Sequence, residues 1–377
     1  MIAIDTTFFA HSEAQSGKIF YSTSFFTADI LDALVELGES ENYCLIVNYN
    51  HEQFFRERFP KYKLIVLRWL PLSILNKLTK GKFPMTKLLK RFGVYAKAVN
   101  KDKNIKAVWF PFASLRTFVK TQKKALITIH DLYRCHTGDE TEPFKSIVLD
   151  EKNLLSTISE YTKNDIEKTF SCHKRIAVIP NSIQCNVSET EEVKGCGHDF
   201  ILDINAYNEK KNALTLLKAF NLIKEKTDLT LVFCAGYKDE EYFGKLKDFT
   251  QQNSLNDRVL FLFQIPERQR NWLLKNAKLF VTPSLFEGFG RTPVEAAICG
   301  IPVISTMETS LHEVTLGLVN YYKNATDEKE LAELILKLIE NPPSAETLTS
   351  IAEKLKTEYS SENCAKRYLE IFKHIDS

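Results

Sequence analysis

Residues 284–305 read SLFEGFGRTPVEAAICGIPVIS, and this stretch decides the fold. Two glutamates, Glu287 and Glu295, flank seven residues that hold a Gly-Phe-Gly turn and the start of a helix. Gly288 and Gly290 lack a Cβ, so the backbone there can take turn geometries closed to other residues and let a ligand approach its N–H groups. The spacing predicts Thr292 as N-cap, Pro293 as first helical residue and Glu295 at the third helical position, a capping box. Gly300 and Pro302 stop that helix, and the strand-like Val303 and Ile304 follow. A strand, a glycine turn and a helix N-terminus in succession make a seat for polar or anionic groups of a ligand.

Outward from this stretch, strand-like apolar runs alternate with segments of helical period, the pattern of an α/β protein whose parallel sheets are wrapped by helices. The predicted strands are 2–4, 43–47, 63–67, 107–110, 125–129, 155–158 and 176–179 in the first half. In the second half they are 200–204, 229–234, 259–261, 279–282 and 302–305. A chain of 377 residues is too long for one ordinary core, so two doubly wound, Rossmann-like domains are expected. They would be 1–183 and 200–360, joined by a linker over 184–199 that is rich in Ser, Thr, Glu and Gly and poor in periodicity. Two such domains facing each other would hold a ligand in the cleft at the carboxyl ends of their strands. Within FILDINAYNEKKNALTLLKAF, 200–220, a strand ends near Ile204, Lys210 and Lys211 follow on a loop, and Asn212 stands ready to cap a helix. An ammonium beside a helix N-terminus suits a diphosphate leaving group, because both supply positive potential where negative charge accumulates.

The stretch from Glu287 to Glu295 resembles the E-x-x-x-x-x-x-x-E signature of the retaining glycosyltransferases of family four, which have the GT-B fold and use nucleotide-diphospho sugars. The resemblance implies that Glu287, Gly288, Phe289 and Gly290 face the donor sugar, that Thr292 lies in the same donor site, and that Glu295 holds the ribose. Helix capping accounts for Glu295 as well. The loop after Ile204 is similar to the family's G-R-x-x-x-x-K-N, in which the Arg and Lys grip the diphosphate. Lys211 and Asn212 match its end, whereas Asn205 and Ala206 stand where Gly and Arg are usual. One cationic contact is therefore missing, a loss of roughly 3 kcal/mol in the transition state. Arg291 is either its substitute or a surface arginine. In the first domain, Gly17 resembles the remnant of a glycine-rich loop, and His130, directly after a strand, matches a His that lies near the donor sugar; a satisfied strand-end His is the alternative. The segments TISEYTKNDI and IAVIPNSI resemble two further family elements, with Ser159, Glu160 and Lys163 equally readable as capping residues and Ser182 in place of a glycine. His312 and Glu313 occupy the place of a nucleotide-facing glutamate. A C-terminal helix, 361–377, is implied to pack back on the first domain.

With 44% apolar and 26% charged residues the composition is that of an ordinary globular protein and excludes disorder. No apolar run approaches the roughly 20 residues needed to span a bilayer, and Met1 to Asp5 reads as a first strand and not as a signal peptide. The eight cysteines show no C-x-x-C pair or metal-site spacing, so reduced thiols of a cytoplasmic protein are expected. Between Glu57 and Asp102 there is no acidic residue, while Arg58, Lys61, Lys63, Arg68, Lys77, Lys80, Lys82, Lys87, Lys90, Arg91, Lys97 and Lys101 crowd the span. Residues 58–101 thus present either a solvated basic face on a packed helix or a peripheral contact with the anionic inner face of the cell membrane. No recognition motif supports nucleic acid as a partner.

The resemblance implies a hexosyl or deoxyhexosyl transfer with retention to a saccharide or lipid-linked saccharide acceptor in surface polysaccharide synthesis. It implies no cofactor beyond the nucleotide sugar as co-substrate and, with no D-x-D motif, no essential metal. Two rival readings share the donor: a nonhydrolysing nucleotide-sugar epimerase, and a binding subunit without activity, suggested by Ala206. A dinucleotide oxidoreductase is set aside because no G-x-G-x-x-G follows the first strand.

Overall fold

The computed structural model of the chain describes residues 1–17, 22–68, 93–112, 118–138, 140–197 and 199–375. The chain divides into two units, Met1–Ser182 with Ser361–Ser377, and Ile183–Ser360.

The first unit is built on seven parallel strands: β1 (Ile2–Asp5), β2 (Tyr43–Asn48), β3 (Lys63–Leu67), β4 (Ala107–Phe110), β5 (Lys124–Ile129), β6 (Asn153–Thr157) and β7 (Ile176–Val178), in the order β3-β2-β1-β4-β5-β6-β7. Such strands are nearly continuous apolar runs because helices cover both faces of the sheet. Alternate side chains accordingly enter different cores: Ala3, Cys44, Ile46, Val108 and Phe110 one, Ile4, Leu45, Val47, Ala107 and Trp109 the other. The second of these cores also receives Phe26 from the helix Ser22–Glu36 and Tyr368 and Phe372 from the helix Ser361–His374. The Tyr368 ring lies 4.6 Å from that of Trp109.

The second unit has six parallel strands: β8 (Phe200–Ile204), β9 (Thr230–Ala235), β10 (Val259–Phe263), β11 (Leu279–Thr282), β12 (Val303–Thr306) and β13 (Asn320–Tyr322), ordered β10-β9-β8-β11-β12-β13. The edge strand β13 has no counterpart among the sequence expectations; it is three residues long and half-buried at two of them, too short for a period to register. In both sheets the winding reverses at an inner pair of strands, β1/β4 and β8/β11, the place where the loops of a doubly wound sheet generally receive a ligand.

Residues 184–199, expected to be a linker, belong to the second unit. Asn271 Nδ2 donates to the carbonyls of Asn186 and Glu189, each at 3.2 Å, and Val193 and Cys196 are buried. Most of the basic span, 69–92, lies outside the described residues. Three basic residues of its described flanks are paired: Arg58 with Asp32, Arg68 with Glu52, and Lys63 with Asp102 at 3.8 Å. Among the described residues no helix is long and apolar enough to cross a membrane.

Candidate functional site

Lys211 and Glu287 are 76 positions apart in sequence, and the switch between β8 and β11 brings them together. Lys211 ends a 3-10 turn, Glu209–Lys211, on the loop that leaves β8; Glu287 lies on the loop that leaves β11. The Lys211 ammonium donates to Glu287 Oε1, and the side chains are only 14% and 11% exposed. Backbone and amide contacts hold the loops in register. Leu285 N–H donates to the Lys210 carbonyl at 2.8 Å. Asn212, at φ 54°, spends its Nδ2 on the carbonyls of Pro283 (3.1 Å) and Ala325 (2.8 Å), while its Oδ1 accepts from Thr215 Oγ1 at 2.8 Å. Asn212 therefore braces the β8 loop against the β11 loop; its amide is committed to backbone carbonyls.

The glycine turn is fixed from behind. Glu287 N–H donates to Thr309 Oγ1, and Ser310 Oγ donates to the carbonyls of Glu287 and Phe289, all at 3.0 Å. Gly290 has φ +90°, a conformation that demands glycine, and a Cβ there would fall 2.6 Å from Leu311 Cδ2 and push that side chain aside. Gly290 is also the N-cap: the helix runs Arg291–Ile298, two residues earlier than the capping box required. The left-handed glycine opens the helix before Thr292 can, which leaves Thr292 half-buried inside the first turn and Glu295 beyond it. Glu295 thus has no capping role. The Phe289 ring turns inward, 3% exposed and 5.4 Å from the Tyr359 ring in an edge-on contact, so that only its backbone is left to face a ligand; Gly288 beside it is buried.

Glu295 meets two guanidinium groups. Arg270, on the helix Glu267–Asn276, donates to Oε2, and Arg291 Nε stands 3.5 Å from Oε1. Burial alone would raise the Glu295 carboxyl, but Arg270 and Arg291 together hold it below the usual carboxylate range. Burial likewise works against the Arg270 charge, and Glu295 more than offsets it. Arg291 is therefore a partner of Glu295, 13% exposed, and no surface arginine. Lys211, Arg270 and Arg291 set three cations against the carboxylates of Glu287 and Glu295, an excess of one positive charge while the neighbouring Asp203 is protonated. Such an excess in a partly desolvated place favours an anion.

Beneath this group lies Asp203, 1% exposed near the end of β8. Burial pushes its carboxyl up to about 7, although Asn205 Nδ2 donates to Oδ1 at 2.6 Å and Lys211 is near. Its folded value exceeds the ordinary 3.8, so the stability tied to its proton is complete below about pH 4 and is lost as pH rises through about 7. Asp203→Asn mimics the protonated form at every pH. It is expected to match the wild type near pH 4 and to exceed it by up to roughly 4 kcal/mol near pH 8, read as unfolding free energies across that range. A difference independent of pH would overturn this.

Gly17 and His130 belong to the first unit. Gly17 closes the helix His11–Ser16 with φ +70°. His130 follows β5; its Nε2 lies 2.8 Å from the Pro111 carbonyl just beyond β4, and Phe26 and Phe112 meet its ring edge-on at 5.1 and 5.7 Å. A carbonyl only accepts, so Nε2 carries the proton and Nδ1 presents a lone pair when the ring is neutral. Ser159 caps its helix, accepting from Thr162 N–H, and Lys163 pairs with Glu160 at 3.0 Å, which is the structural reading of that motif. Ser182 Oγ donates to Asp29 Oδ2 at 3.0 Å. His312 stacks obliquely on Tyr321, 5.0 Å between rings. Arg270 and Asp203 escape the sequence reading. Asp203 had a signal, one carboxylate in the apolar run FILDI; Arg270 had none, being one basic residue among several in ERQRNWLLKN. Among the described residues no group of three or more His, Cys, Asp or Glu is placed to hold a metal ion.

Residues 190–355 match the family described as glycosyl transferases group 1. The chain is 35% identical over 159 residues to the alpha-1,3/1,6-mannosyltransferase ALG2 of Dictyostelium discoideum, a match that spans 38% of each chain and so well under two thirds of that relative. It is 23% identical over 271 residues to O-antigen chain mannosyltransferase B of Escherichia coli, covering 67% of this chain and 70% of that one. Among solved structures, Anabaena Alr3699/HepE in complex with UDP-glucose superposes with a TM-score of 0.69 at 14% identity over 99% of both chains, a likeness of fold: two Rossmann-like sheets of the GT-B class.

Proposed function

From a chain that belongs, through residues 190–355 of its second unit, to the glycosyl transferases group 1, we propose a retaining, metal-independent transfer of a sugar from a nucleotide-diphospho donor to a hydroxyl of a saccharide acceptor. The observation that carries this reading is the Lys211–Glu287 pair across the β8/β11 switch, closed on itself beside an excess of positive charge. Binding of a donor would part the pair. The ammonium would turn to the diphosphate and stabilise it as it leaves, together with the N–H groups of the glycine turn. The Glu287 carboxylate would accept hydrogen bonds from sugar hydroxyls and fix the ring in a reactive pose. Glu295, with each oxygen already bound by one arginine, keeps lone pairs for two ribose hydroxyls. His130 would hydrogen-bond a sugar hydroxyl without taking its proton. The acceptor hydroxyl attacks from the face that the leaving group vacates, and the departing phosphate takes its proton.

Relatives in different kingdoms bear mannosyltransferase names, which favours an activated mannose as the donor and an oligosaccharide, lipid-linked or free, as acceptor. The test is transfer with nucleotide-activated mannose and a mannosylated acceptor in EDTA, with proton NMR of the product. Turnover with an α-linked product from the α-configured donor is the expected result. Strict dependence on Mn²⁺ or an inverted product would overturn the mechanism. Donor binding without transfer would favour a binding subunit, and conversion of the free donor without acceptor an epimerase.

A further inference from the structure

Cys185 and Cys299 are 114 positions apart, yet their Sγ atoms stand 2.7 Å from each other, each half-buried and unbridged. That separation approaches the S–S bond length of about 2.0 Å. Five other thiols, Cys44, Cys172, Cys196, Cys234 and Cys364, are buried. Cys299 is the C-cap of the helix Arg291–Ile298, and its N–H donates to the Glu295 carbonyl at 3.0 Å, so the sulfur sits one helical turn from the proposed ribose carboxylate. Cys185 lies in the segment that Asn271 ties to the helix bearing Arg270. The pair thus joins the two elements whose side chains, Arg270 and Glu295, meet in the site.

We propose that Cys185 and Cys299 are a redox modification site, closed to an intramolecular disulfide by a low-molecular-weight disulfide such as glutathione disulfide. At 2.7 Å either thiol can donate to the other; with Cys299 donating, the Cys185 thiol is lowered and that of Cys299 raised. Cys185 is therefore the attacking thiolate. It breaks the S–S bond of glutathione disulfide, forms a mixed disulfide and releases one glutathione thiolate. Cys299 gives its proton to that thiolate and attacks the Cys185 sulfur, expelling the second glutathione. Two protein thiols are oxidised and one glutathione disulfide is reduced to two thiols. Closure draws the C-terminal end of the Glu295 helix toward the Cys185 segment, and the donor site feels it through Glu295 and Arg270.

The effect on the donor rests on the function proposed above; the disulfide chemistry does not. The test takes the whole reduced chain through glutathione redox buffers, quenches it, and counts thiols after unfolding. The wild type should lose two of its eight thiols, become about 2 Da lighter and carry no glutathione. Cys185→Ser should remain reduced, and Cys299→Ser should stop at the mixed disulfide. Retention of all thiols, or a stable adduct on the wild type, would overturn the site. Calorimetry with uridine and guanosine diphosphates should show affinity about fivefold or more weaker in the oxidised chain. Equal affinity in both forms would overturn the coupling to the site while leaving the disulfide standing. Failure of both forms to bind either nucleotide would count against the donor reading and not against the thiol pair.

Discussion

Glu287→Gln is expected to lower kcat/KM for sugar transfer by roughly a thousandfold while costing about 1 kcal/mol of stability. The amide keeps the shape of the carboxylate and can still accept from Lys211, so the loops that leave β8 and β11 retain the register set by Leu285, Asn212 and Ser310. What it loses is charge. A carboxylate accepts hydroxyl hydrogen bonds more strongly than an amide, and the difference grows as the sugar ring gains positive character in the transition state. Glu287→Ala removes the acceptor altogether and should leave no measurable transfer. Equal far-ultraviolet circular dichroism and a denaturant midpoint close to the wild type would separate lost chemistry from lost fold. A rate within threefold of wild type in the Gln variant, with the fold intact, would remove Glu287 from the site.

The fold was legible because parallel sheets covered on both faces write themselves as apolar runs, and runs such as YCLIV and FILDI stand out against their helical neighbours. The short strand β13 did not, since three residues carry no period and Asn320 is polar. The site was legible where it depends on backbone conformation: Gly290 takes a φ that other residues avoid, and the sequence holds glycine there. It was misread where one residue can satisfy the same backbone group in two ways. Thr292 has the chemistry of an N-cap, but Gly290 reaches the left-handed conformation at no steric cost and starts the helix first. Asn212 stands at the N-cap of the helix Ala213–Ile223 as expected, but its Nδ2 is used on the carbonyls of Pro283 and Ala325. Arg270 was invisible because its meaning lies in a contact with Glu295 made 25 positions away and set by tertiary packing.

Lys211→Met should lower kcat by roughly a hundredfold and weaken donor binding far less, because the negative charge on the leaving diphosphate is largest in the transition state. The methionine fills the space of the aliphatic stem and removes the ammonium, leaving Glu287 without its partner in a place 11% exposed. The loop that leaves β8 offers no arginine in compensation, since Ala206 stands where the resemblance leads one to expect it. Arg270 and Arg291 remain, but both are bound to Glu295 and supply their charge toward the ribose end. The expected consequence is a recoverable deficit: in the Lys211→Met background, Ala206→Arg should regain about tenfold in kcat, because residue 206 lies half-buried on the same loop as residue 211. Lys211→Arg alone should recover most of the rate. Loss of donor binding in step with kcat would instead make Lys211 a ground-state contact, and an unchanged kcat would place the leaving group elsewhere.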